Sequence, residues 1–238
     1  MMRAGVILGL SLVAAPLDAQ QTIAERLSGR VPSEIAALVQ ELGSAAASRG
    51  LPVDPMIQKA IEGNAKAIPA DRVAGAIRGV FAQLDSAAAA LREAGVASPV
   101  DTVEIAAGGF AITAGLRGRD IAELARTGRP TSDVIVGLRV AGTLAAMGVP
   151  REETVRLVGT SLRAQHAPGE LLALPGRVQS EMARGATPAQ AAAGLARAAA
   201  AQSRHGPPPH RGPPTHPPHP QGPPALACPG DPEVLADP

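Results

Sequence analysis

One mark recurs along this chain: a proline followed two positions later by an acidic or amide residue. It occurs at Pro32 with Glu34, Pro52 with Asp54, Pro69 with Asp71, Pro99 with Asp101, Pro150 with Glu152, Pro168 with Glu170 and Pro188 with Gln190. Pro130 with Asp133 is a near variant, and Gly118 with Asp120 keeps the slot without the proline. Proline fits the first turn of a helix, where its missing N–H costs nothing. An acidic side chain there accepts from orphan amides and faces the positive end of the helix dipole. Each mark therefore predicts a helix start.

The spacing adds a second constraint. Pro52, Pro99 and Pro150 fall about 50 residues apart, and so do Pro69, Gly118 and Pro168. A third set, Pro32, Pro130 and Pro188, reads as related, its missing member absorbed into a long helix after Pro69. "VPREETVRLVGTSLRAQHAPGEL" lies over "LPVDPMIQKAIEGNAKAIPADRV" with one residue slipped, apolar over apolar. The period does not fit the tetratricopeptide, ankyrin or armadillo signatures.

Between the marks the apolar positions follow a helical period. After Pro69 they fall at Val73, Ile77, Val80 or Phe81, Leu84, Ala88 and Leu91, and Gly95 closes the run. After Pro130 they fall at Val134, Leu138, Ala141 and Ala145, closed by Gly148. The expected fold is all-α: degenerate two- or three-helix repeats over residues 20–203, eight or nine short helices stacked as a short solenoid or small bundle. Pro175 and Gly176 should break or kink the helix begun near Glu170.

A helix pair of this kind has an apolar stripe that only a neighbouring pair can bury. The chain has two Phe, no Trp and no Tyr, so bulky cores are not available to it. Close backbone approach must supply the packing. The "AAGGF" segment, with Gly108, Gly109 and Phe110, marks either such an approach or the wall of a ligand pocket. Phe81 or Phe110, if buried, should each cost about 3–5 kcal/mol when cut to Ala.

The two ends differ from the body. Residues 1–19 carry a basic residue at Arg3, an apolar run, Pro16 and a small residue at Ala19, the layout of a cleavable secretory signal. No later stretch reaches membrane-spanning length without a charge. The chain is therefore expected to be secreted or periplasmic, with a protein partner in the cell envelope. Residues 204–238 are dense in proline and read as a disordered Pro/His-rich tail. His205, His210, His216 and His219 are weak candidates for loose metal capture there. Arg211, Pro214 and Pro217 form an R-x-x-P-x-x-P pattern that arises cheaply in such a tract. The single Cys228 excludes an internal disulfide and leaves a thiol able to link two chains.

Lys and Arg total 22 against 21 Asp and Glu, a net charge of +1. With no basic excess and no stacking aromatics, nucleic acid is not an expected partner. Catalytic chemistry is equally thin. The one body histidine, His166, precedes Pro168 and is placed to cap a helix end; Ser161 lies five residues before it, off the i+4 position. Glu152 and Glu153 diverge around a helix as first-turn acids, while Glu62 and Lys66 form an i,i+4 pair. No catalytic residue, cofactor or dedicated metal site is assigned. The expected function is a non-catalytic helical scaffold or protein-interaction module. A small apolar-ligand or lipid-binding protein is the alternative, and a cryptic hydrolase a weaker one.

Overall fold

The computed structural model describes residues 23–205, and these are all-helical, with no strand among the described residues. A helical turn at residues 23–27 precedes ten helices. They are α1 (Ser33–Ser48), α2 (Asp54–Ala65), α3 (Ala70–Glu93), α4 (Thr102–Thr113) and α5 (Gly118–Ala125). Then follow α6 (Thr131–Ala146), α7 (Arg151–Arg163), α8 (Pro168–Leu172), α9 (Leu174–Ala183) and α10 (Pro188–His205). No helix among the described residues is long and apolar enough to cross a membrane. The expected signal at 1–19, and the tail with His210, His216, His219, the R-x-x-P-x-x-P pattern and Cys228, lie outside the described residues. So does the side chain of His205.

Half of the eight marker prolines stand one step outside the first turn. Pro32, Pro69, Pro130 and Pro150 are the N-cap residues of α1, α3, α6 and α7, with φ between −58 and −53° and ψ between 140 and 149°. An N-cap residue keeps extended ψ while its carbonyl accepts the first helical bonds. Proline's fixed φ suits that geometry, and Ala36, Val73, Val134 and Thr154 each donate to the proline carbonyl at 2.9–3.1 Å. Pro168 and Pro188 are first helical residues, whereas Pro52 and Pro99 precede the N-caps Val53 and Asp101.

The acids work mainly by charge. Glu34, Asp71, Glu152 and Glu170 lie in first turns, and no side-chain bond caps their helices. Asp54 opens α2 and pairs with Arg26. Asp101 does cap: it accepts from the Val103 amide at 2.7 Å. Asp120 accepts from the Arg117 amide at 2.8 Å. Thr187 and Gln190 form a reciprocal box, the Thr187 amide donating to Gln190 Oε1 and the Gln190 amide to Thr187 Oγ1.

Helix ends share one geometry that the sequence reading caught only at Gly95 and Gly148. Gly50, Ala67, Gly95, Gly115, Gly148, Gln165 and Gly185 all take positive φ. In each case the next residue's amide reaches back five positions: Leu51 to Ala46, Ile68 to Gly63, Val96 to Leu91, Leu116 to Ala111, Val149 to Leu144, His166 to Ser161 and Ala186 to Glu181, at 2.9–3.2 Å. This is the Schellman closure, which satisfies the last carbonyls. Leu51, Leu116 and Val149 then turn into the core.

The tenth helix comes from a break that falls earlier than Pro175. Ala173 separates α8 from α9, and Pro175 sits in the first turn of the new helix. The proline ring would collide with the carbonyl four residues back in a continuous helix, so the chain restarts upstream of it.

The core runs through Ile35, Ile57, Ile77, Leu91, Ile121, Leu138, Leu157 and Val178. The α4–α6 contact is the most extensive, followed by α3–α4 and α2–α3. Small residues permit these contacts. A β-carbon on Gly108 would lie 3.0 Å from the Ala87 β-carbon, and one on Gly109 would lie 2.9 Å from Leu84 Cδ2. The two phenylalanines are not core residues, contrary to the buried case considered from sequence. Phe81 is half-buried with the Arg49 guanidinium 5.3 Å above its ring, and Phe110 is 46% exposed.

Candidate functional site

Phe110 stands in an open-sided groove of about 570 Å³. Helix α4 brings Phe110 itself, α3 contributes Val80 and Leu84, α2 contributes Pro55 and Lys59, and α6 contributes Arg139. The floor is apolar and the rim is polar. The Thr113 hydroxyl lies 2.8 Å from Gln83 Oε1 and 2.9 Å from the Gly109 carbonyl oxygen and shares its one proton between them, tying α3 to α4 beside the ring.

The glycines flagged in the sequence explain the groove's position. Gly108 and Gly109 are buried against α3, which leaves the next side chain, Phe110, on the edge of the α4 seam. On its other side the ring lies across Gly142 of α6. A larger residue at 142 would occupy the space the ring uses.

Charge on the rim is uneven. Glu62 is held by Lys59 at 2.7 Å and by Lys66 at 2.5 Å. The Lys59 hydrogen bond, then that of Lys66, lowers its pKa to about 2. Arg139 is exposed and makes no ion pair among those the described residues form. The rim is thus cationic, a property that Glu62 and Lys66 as an isolated i,i+4 pair did not reveal.

No match to this chain is found among protein-family models, curated proteins or solved structures. The site's meaning rests on its own geometry.

The histidine and its neighbours do not form a catalytic set. His166 Nδ1 lies 3.9 Å from Glu170 Oε2, and no hydrogen-bond partner reaches it. Ser161 is fully buried, its hydroxyl also without a partner. It is the backbone amide of His166, not its Nδ1, that serves the helix end. Glu153 engages Arg156 at 2.8 Å, and Glu152 engages Arg151 at 3.3 Å. Among the described residues, no three His, Cys, Asp or Glu side chains converge to hold a metal.

Two groups escaped the sequence reading. Glu104, in the first turn of α4, is 1% exposed, and its Oε2 has no partner. Burial, and then the nearby Asp101 charge, raises its pKa. Arg129 pairs with Asp133 through a terminal nitrogen while its buried Nε has no partner. The available signal was positional: Glu104 is flanked by Ile105 and lies one turn before the buried Ala107 and Gly108, on the apolar side of α4.

Proposed function

We propose that this chain is a non-catalytic scaffold of stacked helices that works outside the cytosol and holds a protein partner in the groove around Phe110. The observation that carries the proposal is the exposed aromatic ring, rare in this composition, set on an apolar floor with a cationic rim. Large exposed apolar residues are otherwise scattered at Ile68, Val103 and Leu172. The docking face is therefore narrow, suited to one segment of a partner rather than to a broad interface.

The stacked-repeat reading has two supports. The same stop-and-start junction recurs, a positive-φ residue followed within a few positions by a helix start. Close packing also joins helices near in sequence: α1 with α3, α3 with α5, α5 with α7, and α4 with α6. Among helices α1–α9, no closely packed pair spans more than three places in the helix order. Such quasi-linear stacks offer long surfaces for binding other proteins.

Envelope location rests on residues 1–19 and is part of the proposal. So is a disordered tail, whose start the end of α10 at His205 moves from 204 to 206. The apolar-ligand alternative is supported only by the groove's volume, which falls in the small-ligand range of roughly 300–1,000 Å³. An open side leaves an apolar ligand in contact with water, which favours a macromolecular occupant. No observation favours a hydrolase.

The test is co-purification from envelope extracts with the full chain, with Phe110→Ala, with Arg139→Glu and with residues 204–238 removed. A partner that docks in the groove is lost with either substitution and kept without the tail. Retention in both substituted chains, with loss only on tail removal, would move the function to residues 204–238.

A further inference from the structure

We propose that a cleft of about 560 Å³ between α5 and α7 binds a linear oligophosphate. It shares no lining residue with the Phe110 groove, so the inference is independent of the partner-docking reading.

Five arginines line the cleft: Arg119 in α5, Arg126 at its C-cap, and Arg151, Arg156 and Arg163 in α7. Three acids line it too, Asp120, Glu123 and Glu152, which leaves the lining two charges positive. Two of the acids are already engaged. The buried Asp120 accepts from the Arg117 amide at 2.8 Å and lies 3.4 Å from Arg151, while Glu152 engages Arg151 at 3.3 Å. Arg151 is thereby tied down, and four guanidiniums remain to meet a ligand.

The sequence sets these four in two matching pairs. Arg119 and Arg126 are seven residues apart, and so are Arg156 and Arg163. Seven residues make two helical turns, about 10 Å of rise, so each pair keeps to one face. The two helices run in the same direction: Asp120 meets Arg151 at one end, and Leu124 lies beside Gly159 further along. A β-carbon on Gly159 would lie 3.4 Å from Arg163 Nη2 and 3.6 Å from Leu124 Cδ2. The Arg163 guanidinium thus folds back over the glycine, at the seam of the two helices.

These guanidiniums keep donors to spare. Arg163 makes no ion pair among the described residues, and Arg119 has only Asp120, at 3.7 Å. Arg126 and Arg156 are each held through one terminal nitrogen, by Glu93 at 3.0 Å and Glu153 at 2.8 Å, acids that do not line the cleft. The rest of each fork stays available. Such forks bind phosphate oxygens in pairs, and a chain of phosphates carries those oxygens along its whole length. Val155 is the one apolar side chain in the lining, so a protein segment finds no pocket for an anchor. No aromatic ring lines the cleft, so a base finds no stacking surface. The volume lies within the range of small-molecule sites.

The experiment is isothermal titration of the full chain with inorganic triphosphate, at low and at high salt. Saturable one-to-one binding is expected, weaker at high salt. Arg119→Gln and Arg163→Gln, both at exposed positions, should each weaken it about tenfold or more, the effect of losing a charged hydrogen bond. Glu123→Gln, which removes the one lining acid without an ion pair, should tighten it. Arg177→Gln, on the exposed surface of α9, should leave it unchanged. Adenosine triphosphate binding as tightly as inorganic triphosphate identifies the phosphate chain as the recognised group; tighter binding makes a nucleotide its carrier. Absence of saturable binding to the folded chain overturns the assignment. So does an equal loss in Arg177→Gln, which would reduce the effect to net charge, or tighter binding of hexaglutamate, which would give the cleft to an acidic protein segment.

Discussion

Phe110 rests on Gly142. A β-carbon at 142 would lie 2.5 Å from ring atom Cε1, 2.6 Å from Cδ1 and 3.2 Å from the Ala111 Cα. The ring can swing outward, because it is half exposed, but the α4 backbone at Ala111 has less freedom. Gly142→Ala should therefore displace Phe110 and separate α4 from α6 slightly. The helix-propensity gain of up to about 1 kcal/mol is more than offset by overpacking of about 1–3 kcal/mol. A lowered melting temperature and a changed phenylalanine near-ultraviolet circular dichroism band are the expected readouts.

Glycines elsewhere in the helices separate into those that pack and those that do not. At Gly63 an added β-carbon meets Val73 Cγ2 at 2.6 Å and Cγ1 at 3.0 Å. Both branches are in the way, and a β-branched side chain has few rotamers to escape into. Gly63→Ala should cost about 1–3 kcal/mol. Gly75 and Gly79 in α3 have nothing within 4 Å and ordinary backbone. There, alanine should stabilise by about 0.5–1 kcal/mol at each site. Urea denaturation of the three variants checks the opposite signs.

Two of the seven recurrent helix stops lack glycine. Ala67 has φ of 51° and Gln165 has φ of 58°, a region that a β-carbon disfavours by roughly 1–2 kcal/mol. Ala67→Gly and Gln165→Gly should each raise stability by somewhat less than that, since glycine also loses more entropy on folding. Thermal unfolding measures the gain, and a loss at both sites would contradict the strain assigned to them.

Glu62 should titrate near pH 2 by carboxyl NMR, held down by the Lys59 and Lys66 hydrogen bonds. Its folded value lies below the ordinary one of 4.5, so its contribution to stability is complete above pH 4.5 and is lost as pH falls toward 2. Lys59→Met should move the titration up toward 4.5. High salt should do the same in part, because the cluster is exposed.

Glu104 has the opposite linkage. Burial, with Asp101 second, raises its pKa, so the folded state holds the proton more tightly than the unfolded chain. The charged form weakens the fold at pH values above the raised pKa, and the penalty fades as pH falls through it. Glu104→Gln should accordingly stabilise the protein at pH 8 and have a smaller effect near pH 4. Melting temperatures at the two pH values test this, and an equal effect at both would exclude the burial penalty.

What the sequence by itself determined is the local grammar. Prolines at 32, 69, 130 and 150 stand where helices α1, α3, α6 and α7 begin, and Val73, Ile77, Leu84 and Leu91 line a single buried stripe. Such features depend on backbone sterics and on a 3.6-residue period, both readable within a few positions of chain. The tertiary structure alone decided that Phe110 emerges at a groove instead of entering the core. It also brought Lys59, Phe110 and Arg139 to one opening, and left Glu104 and Arg129 each with a buried, unpaired atom. These outcomes depend on which helix faces another across tens of residues, where one glycine at 142 or 109 sets the distance. No local pattern carries that information, because burial and charge pairing belong to the packed assembly of helices.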